Sequence, residues 1–340
     1  MSVRAYALAL FAVLGAAGTL VAEDVVTLSP PGGGQGRLRL TGEVLDDAGG
    51  VLRLRLADGR QQSFPIDRVL DIQTTFTPRL VEGDRAAAER RFDEAARLYQ
   101  AALAEERRPW VRRQLLVRLV RASTALDRWS TAGETFLSLL ESDAQTRQFG
   151  AIPLAWFPRP GDAATERWAR QWLDRPEPAA ALIAASHLLV GPTRTEAAAK
   201  LRQLASADDR RVAALATAQL WRLETATADA TRLASWQQAI DAMPESLQAG
   251  PDFVLGLALA QRKDAQAAAL ALLRVPIVYP EHRPLAARAL VEAGKALEQL
   301  GQQADALRLY TEAARDYGEQ AQTAAEARAR ADALTRTIPR

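Results

Sequence analysis

The stretch AGKALEQLGQQADALRLYTEAARDYG, residues 293–318, indicates the fold of this chain most clearly. Its small and large apolar residues recur every three or four positions, which is the period of one face of a helix. The stretch therefore predicts two helices, the first of which ends near Gly301. Antiparallel helices approach closely only where a small residue faces a bulky one. Gly294 and Ala306 supply the small positions, and Tyr310 fills the gap between the helices.

The spacing of these residues recurs along the chain. A glycine is followed after twelve residues by an alanine, four residues later by a bulky residue, and three residues later by another apolar one. The fitting positions are Gly83, Phe92, Ala95, Tyr99 and Ala102; Trp129, Ala132 and Phe136, with Val120 in place of the glycine; Gly256, Ala268 and Pro280; and Gly294, Ala306, Tyr310 and Ala313. Weaker copies follow at Ala197 and Trp236. We predict that these residues form a packing seam rather than a binding site.

This pattern resembles the tetratricopeptide repeat (TPR), in which a first helix carrying glycine packs on a second helix carrying alanine and an aromatic residue. The resemblance implies a mainly α fold, a TPR-like α-solenoid of antiparallel helix pairs in which each pair covers the apolar face of the one before it. The predicted units are TPR-like helix pairs over 80–147 and 247–318, divergent helical repeats over 148–246, and a capping helix and tail over 319–340.

The last helix pair is also similar to those of bacterial envelope TPR proteins. The shared features are the turn at Tyr279 and Pro280 and the ALEQLG ending of the first helix, residues 296–301. The similar families are the periplasmic coordinator associated with the Tol–Pal system and the repeat lipoprotein of the outer-membrane barrel-assembly machine. This resemblance implies a non-enzymatic scaffold that binds protein segments along a concave groove.

Residues 37–76 follow a period of two instead. Leucines alternate with arginines over 52–56, and residues 47–50 and 58–59 have the composition of hairpin turns. The segment resembles a small SH3-like or Sm-like β-barrel. Such a head serves either as an interaction module or as a cap on the helical array. The SPPGGGQG stretch before it predicts a flexible linker over 23–36.

The first 22 residues have the features of an export signal. Arg4 precedes an apolar run that ends in LVA before the acidic Glu23. This arrangement predicts a secretory signal peptide over 1–22 and a periplasmic or envelope-associated protein in a bacterium. The alternative is an uncleaved anchor, because the run is close to the minimum length for a membrane span. Membrane contact is expected only in that case.

Composition excludes several classes of function. The chain has 43 basic and 41 acidic residues, a balance that argues against a nucleic-acid partner. It has no cysteine, which excludes disulfides, a thiolate nucleophile and cysteine-ligated metal. The two histidines, His187 and His282, are far apart and are expected in a packed helix and a loop. We therefore predict no catalytic residue, no cofactor and no metal site.

An aromatic segment, FGAIPLAWFPRPG, interrupts the helical pattern over 149–161. Prolines lie on both sides of Trp156 and Phe157, so a helix cannot continue through them. An exposed aromatic loop would make these two residues partner contacts. The alternative is an irregular crossover that packs Trp156 into the helical array.

An arginine-rich stretch, RRPWVRRQLLVRLVR, covers residues 107–121. Arg118 and Arg121 are three residues apart and share a helix face. Arg112 and Arg113 are further candidate partner contacts. The cluster would engage anionic lipid, phosphate or an acidic protein surface. The alternative is a solvated helix face.

These observations favour an exported scaffold or adaptor that holds protein partners at the bacterial cell envelope. Two alternatives stay open. One is a cell-wall-active enzyme with a carboxylate site in the groove, since two converging carboxylates are the machinery of glycoside hydrolysis. The other is binding of an anionic polymer through the arginines of residues 107–121.

Overall fold

A computed structural model describes residues 24–30, 36–158 and 163–337. Within these residues the protein is mainly helical, with 66% of the chain in helices and a small five-stranded antiparallel sheet at the N-terminal end. The predicted signal peptide over 1–22 and the last three residues of the predicted tail lie outside the described residues. In the described part of the chain, no helix combines the length and the apolar character needed to cross a membrane.

The sheet is formed almost entirely by the segment that has the period of two. The strands are β1 (Asp24–Leu28), β2 (Leu38–Asp46), β3 (Val51–Leu56), β4 (Gln61–Pro65) and β5 (Val69–Gln73). Their order is β4-β3-β2-β1-β5, and a short 3₁₀ turn, Ile66–Arg68, joins β4 to β5. The predicted hairpin turns are confirmed, since Gly49, Gly50 and Gly59 have the positive φ that such turns require.

The prediction of a flexible linker over 23–36 is wrong for residues 24–28, which form a strand. Asp24–Leu28 is β1, which pairs with β2 on one side and with β5 on the other. Val26 and Leu28 are fully buried, and the Asp24 carboxylate accepts a 2.8 Å hydrogen bond from the backbone N–H of Val44. Five residues are too short for their alternation to be recognised, and the strand is stabilised by partners far along the chain. Residues 31–35 lie outside the described residues.

Fourteen α-helices follow the sheet within the described residues. They are α1 (Pro78–Ala88), α2 (Phe92–Glu105), α3 (Pro109–Ala125), α4 (Trp129–Ser142), α5 (Ala163–Trp172), α6 (Pro178–Leu188), α7 (Arg194–Leu204), α8 (Arg210–Trp221), α9 (Ala230–Asp241), α10 (Ala249–Gln261), α11 (Ala265–Val278), α12 (Arg283–Gln299), α13 (Gln303–Asp316) and α14 (Ala321–Thr337). Most consecutive helices pack against each other.

The predicted packing seam joins consecutive helices. A Cβ atom added at Gly294 would lie 2.5 Å from Cε1 of Tyr310, and one at Gly83 would lie 2.6 Å from Cε1 of Tyr99. The same relation holds between α10 and α11, where Leu272 takes the place of the tyrosine. The alanines of the seam are fully buried: Ala95, Ala102, Ala132, Ala268, Ala306 and Ala313. These positions are therefore set by packing.

The sheet and the first helices share one hydrophobic core. Leu52 and Leu54 of β3 are buried in the same cluster as Leu80 of α1 and Leu115 of α3. The guanidinium of Arg113 pairs with the carboxylates of Asp46, the last residue of β2, and Asp47, the residue after it. The head is thus fixed on α1 and α3 by both apolar and ionic contacts.

Residues 149–157 begin at the end of a 3₁₀ turn, Arg147–Ala151, and continue without helix from Ile152. They cross the interior between the helices, and we call them the crossing segment. The N–H of Ala155 donates to Oγ of Ser186 on α6, at 3.0 Å. The carbonyl oxygen of Ala155 accepts from Nε2 of Gln219 at 3.0 Å and from Nη1 of Arg222 at 2.8 Å. An extended backbone inside a protein must satisfy its polar groups in this way.

Small residues allow the crossing segment to pass. A Cβ atom at Gly250 of α10 would lie 1.8 Å from Cε2 of Trp156, and one at Gly150 would lie 2.1 Å from the carbonyl oxygen of Ser246. Trp156 is only 8% exposed, as the crossover interpretation predicts. Trp156 is therefore not an exposed partner contact, and that prediction is corrected. Phe157 is half-buried, with its ring 5.9 Å from the ring of Phe253.

The first and the last helices of the array meet, and we call the bonds between them the closing contact. Nη2 of Arg90, just after α1, lies 2.7 Å from Oδ1 of Asp316, at the end of α13. Nε2 of Gln320, just before α14, donates to the carbonyl oxygen of Ala125 on α3, at 2.8 Å. The interior of the array is therefore bounded on one side by the first helices and on the other by the last.

The seam gives a direct test of the repeat packing. We expect Gly294→Ala to lower the free energy of unfolding by about 1–3 kcal/mol, because the new methyl group overlaps the ring of Tyr310. Gly318→Ala is the matched control, since a Cβ atom there meets nothing within 4 Å. Urea unfolding followed by circular dichroism measures both. Equal stability of the two variants would contradict the seam.

Candidate functional site

One concave feature is a cleft between the head, the first helices and the start of α12. It contains a cavity of about 450 Å³, which we call the arginine cavity. Its charged and aromatic walls are formed by Asp47, Asp84, Phe92, Tyr99, Trp110, Arg113, Arg118, Arg121, Asp143, Arg147, Glu281 and Arg283. A pocket of this size with mixed apolar and polar walls is typical of a ligand or peptide site.

Arg118 and Arg121 of α3 both face this cavity, as their spacing predicts. The guanidinium of Arg118 makes two hydrogen bonds to Asp84, with Nε 2.8 Å from Oδ1 and Nη2 3.2 Å from Oδ2. Arg121 is held less tightly, since its Nη2 lies 3.5 Å from Oε1 of Glu281. Burial lowers the pKa of Arg121, and the neighbouring Arg118 adds to this effect. Arg121 is thus the weakly compensated charge of the cavity.

The other predicted arginine contacts have structural partners. Arg113 is 6% exposed and pairs with the two aspartates at the end of β2, so it is not accessible to a partner and that prediction is corrected. Arg112 is exposed, and its Nη1 donates to the carbonyl oxygens of Leu103 and Glu106 at the end of α2. Arg108 pairs with Glu106. Much of the positive charge of residues 107–121 is therefore neutralised within the chain.

The cleft continues past the arginine cavity along the crossing segment. A narrow second cavity is lined by Arg121 and Glu281, which also line the arginine cavity, and by Trp129 and Phe157. Trp129 and Phe157 also line a third cavity of about 510 Å³, which we call the aromatic cavity. Because neighbouring cavities share these residues, we treat the three as one interior cleft. The closing contact borders it, since Gln320 lines the aromatic cavity.

Both histidines lie beside the interior cleft. His187 of α6 is half-buried, with Nε2 3.3 Å from the carbonyl oxygen of Pro153 and its ring 4.8 Å from that of Trp129. His282 precedes α12, and burial lowers its pKa. The described residues contain no group of three histidine, cysteine, aspartate or glutamate side chains that could hold a metal ion.

The carboxylates of the arginine cavity are engaged by neighbours. They pair as Asp47 with Arg113, Asp84 with Arg118 and Tyr99, Glu281 with Arg121, and Asp143 with the N–H of Gly49. A carboxyl group with a strongly raised pKa occurs elsewhere, at Asp252 of α10. Burial raises the pKa of Asp252 to about 6, although Nε of Arg274 lies 3.2 Å from its Oδ2. Asp252 is 1% exposed and does not line the interior cleft, so its role is structural.

Sequence reasoning missed the residues that fix the crossing segment. These are Ser186, Gln219 and Arg222, whose side chains bond to its backbone or to each other. A weak signal exists, because Gln219 and Arg222 are polar, three residues apart, and lie at the C-terminal end of α8 next to its apolar residues. The repeat pattern gave no reason to connect them with residues more than sixty positions away.

The chain matches no protein-family model and no curated protein sequence. Its function is therefore argued from the composition and geometry of the interior cleft. Three features of the interior cleft indicate its function. They are the weakly compensated Arg121, the aromatic side chains along the cleft, and the buried segment that forms one wall.

The raised pKa of Asp252 predicts a pH dependence of stability. The folded state binds the proton more tightly than the unfolded state, whose aspartate has a pKa near 3.8. The protonated carboxyl therefore contributes stability that is complete below about pH 4 and is lost as pH rises through about 6. We expect the stability of the wild type relative to Asp252→Asn to fall by up to about 3 kcal/mol between those values. Urea unfolding at several pH values measures this difference. A difference that is constant or that rises with pH would contradict the buried carboxyl.

Proposed function

We propose that this protein is a non-enzymatic scaffold or adaptor, exported to the bacterial cell envelope, that binds a segment of a partner protein in the interior cleft. The observation that carries the proposal is the continuity of the cleft. Shared lining residues connect a cavity of about 450 Å³ with one of about 510 Å³ along the crossing segment. Adjoining cavities with polar and aromatic walls suit an extended peptide better than a compact substrate.

The fold assignment behind this proposal is a TPR-like α-solenoid with an SH3-like head. The seam supports the first part, because glycine on one helix meets tyrosine on the next at both ends of the array. The strand order and the 3₁₀ turn before β5 support the second part. On this assignment the units are the head over 37–76, helix pairs over 80–147 and 247–318, divergent pairs between them, and a final capping helix. The shared core favours the head as a cap on this array.

The two alternative functions have less support. An enzyme acting on cell-wall glycan requires a carboxyl group free to donate a proton and a second carboxylate opposite it. The carboxylates of the arginine cavity are instead engaged by arginines, Tyr99 or a backbone amide. Binding of an anionic polymer requires accessible positive charge, and Arg108, Arg113 and Arg118 are paired with carboxylates. Release of the protein from a heparin column at low salt would agree with this lack of accessible positive charge.

The position of the partner is tested by photocrosslinking in cells. A benzoylphenylalanine side chain at Gln148, which lines the arginine cavity, should capture a defined envelope protein. The matched control is the same side chain at Gln266, which is exposed on α11 and lines no part of the interior cleft. Adding Arg121→Glu should reduce the Gln148 product at least about tenfold, because a charge of the cleft is reversed.

Either of two results would contradict the proposal. One is equal capture of the same proteins from both positions, which would indicate non-specific proximity. The other is a Gln148 product that Arg121→Glu leaves unchanged while circular dichroism shows the variant to be folded.

A further inference from the structure

We propose that the aromatic cavity holds a binding site for an apolar carboxylate, centred on Arg222. This inference goes beyond binding of a protein segment and does not depend on it. Arg222 follows α8 and lines the cavity of about 510 Å³. The ligand is a single carboxylate group attached to an aliphatic or aromatic body.

Among the described residues, the guanidinium of Arg222 uses only one of its nitrogens in hydrogen bonds. Nη1 donates to the carbonyl oxygens of Ala155 and Ser186, both at 2.8 Å, and to Oε1 of Gln219 at 2.6 Å. The edge formed by Nε and Nη2 makes no hydrogen bond to any described residue. This edge presents two parallel N–H groups, which is the arrangement that binds both oxygens of a carboxylate.

The positive charge of Arg222 has no carboxylate partner among the described residues. Its acceptors are carbonyl and amide oxygens, and burial alone lowers the pKa of its guanidinium. An uncompensated charge held in a part-buried position is unfavourable. A bound anion would supply the missing negative charge. The two N–H groups of Nη1, shared among these three acceptors, also fix the guanidinium in place, so little freedom is lost on binding.

The walls of the cavity select the kind of anion. Trp129 and Phe157 provide aromatic surface, and Leu188 and Val190 provide aliphatic surface. Acidic side chains also line the cavity, namely Asp127, Glu166 and Glu319. These repel a phosphate dianion more strongly than a carboxylate, which carries a single negative charge. A ligand with a single negative charge and an apolar body fits both the apolar walls and the acidic side chains of the cavity.

The carboxylate has two plausible sources, and calorimetric titration of the full chain distinguishes them. The probes are 3-phenylpropionate, its amide, a short peptide ending in Phe with a free C-terminus, the same peptide amidated, and inorganic phosphate. We expect a Kd on the order of 1 mM for 3-phenylpropionate, the peptide acid, or both, and no binding of the amides or of phosphate. Binding of the free acid alone identifies a small organic acid. Binding of the peptide acid, alone or more tightly, identifies a protein C-terminus.

Three substitutions test the role of Arg222. Arg222→Lys keeps the charge but removes the fork of donors, and it should weaken binding about tenfold. Val190 lines the cavity and is 48% exposed, so its replacement should preserve folding. Val190→Asp should weaken binding at least about threefold, and Val190→Lys should strengthen it by a similar factor. Val81→Asp is the matched control, since Val81 is 55% exposed and lines none of the three cavities.

The proposal is overturned if no carboxylate binds at about 10 mM, or if the amides or phosphate bind as tightly as the acids. It is also overturned if Val190→Asp and Val190→Lys leave the affinity equal to that of Val81→Asp. The Val190 variants decide the outcome even if Arg222→Lys fails to fold.

Discussion

The interior of this protein depends on one set of hydrogen bonds. In it, the carbonyl oxygen of Ala155 accepts from the side chains of Gln219 and Arg222. A helix satisfies its own backbone, but a non-helical segment inside a helical array does not. The crossing segment is therefore stabilised only where side chains from the surrounding helices reach it. This requirement explains why Ser186 is fully buried on an otherwise apolar helix.

The crossing segment also explains how the array differs from an open stack of helix pairs. Trp156 packs against Gly250 of α10, so the segment draws α6, α8 and α10 around itself. The last helices also meet the first, where Asp316 pairs with Arg90. The interior cleft lies between the two ends, with one wall formed by the segment. A partner that enters the cleft would contact both ends of the array at once.

Local periodicity predicted much of the fold. The spacing of Gly294, Ala306 and Tyr310 recurs because each helix pair repeats the same local packing problem. Three features could not be predicted in this way. β1 is stabilised by strands that follow it in the chain. Arg113 is held by aspartates that lie 66 and 67 residues away. The crossing segment is held by helices more than thirty residues further on. Arg118 and Arg121 were predicted to share a face, whereas Arg222 was missed because its role depends on tertiary contacts alone.

The first and the last helices meet and enclose the cleft, and cysteine crosslinking tests this arrangement directly. The chain has no native cysteine, so the double variant Arg90→Cys and Asp316→Cys gives a single defined pair. At low protein concentration a short bis-maleimide should join the two positions within one molecule in high yield. The product would migrate faster on a denaturing gel than either single variant. Absence of the intramolecular product, with both thiols still reactive toward a monofunctional maleimide, would contradict the account.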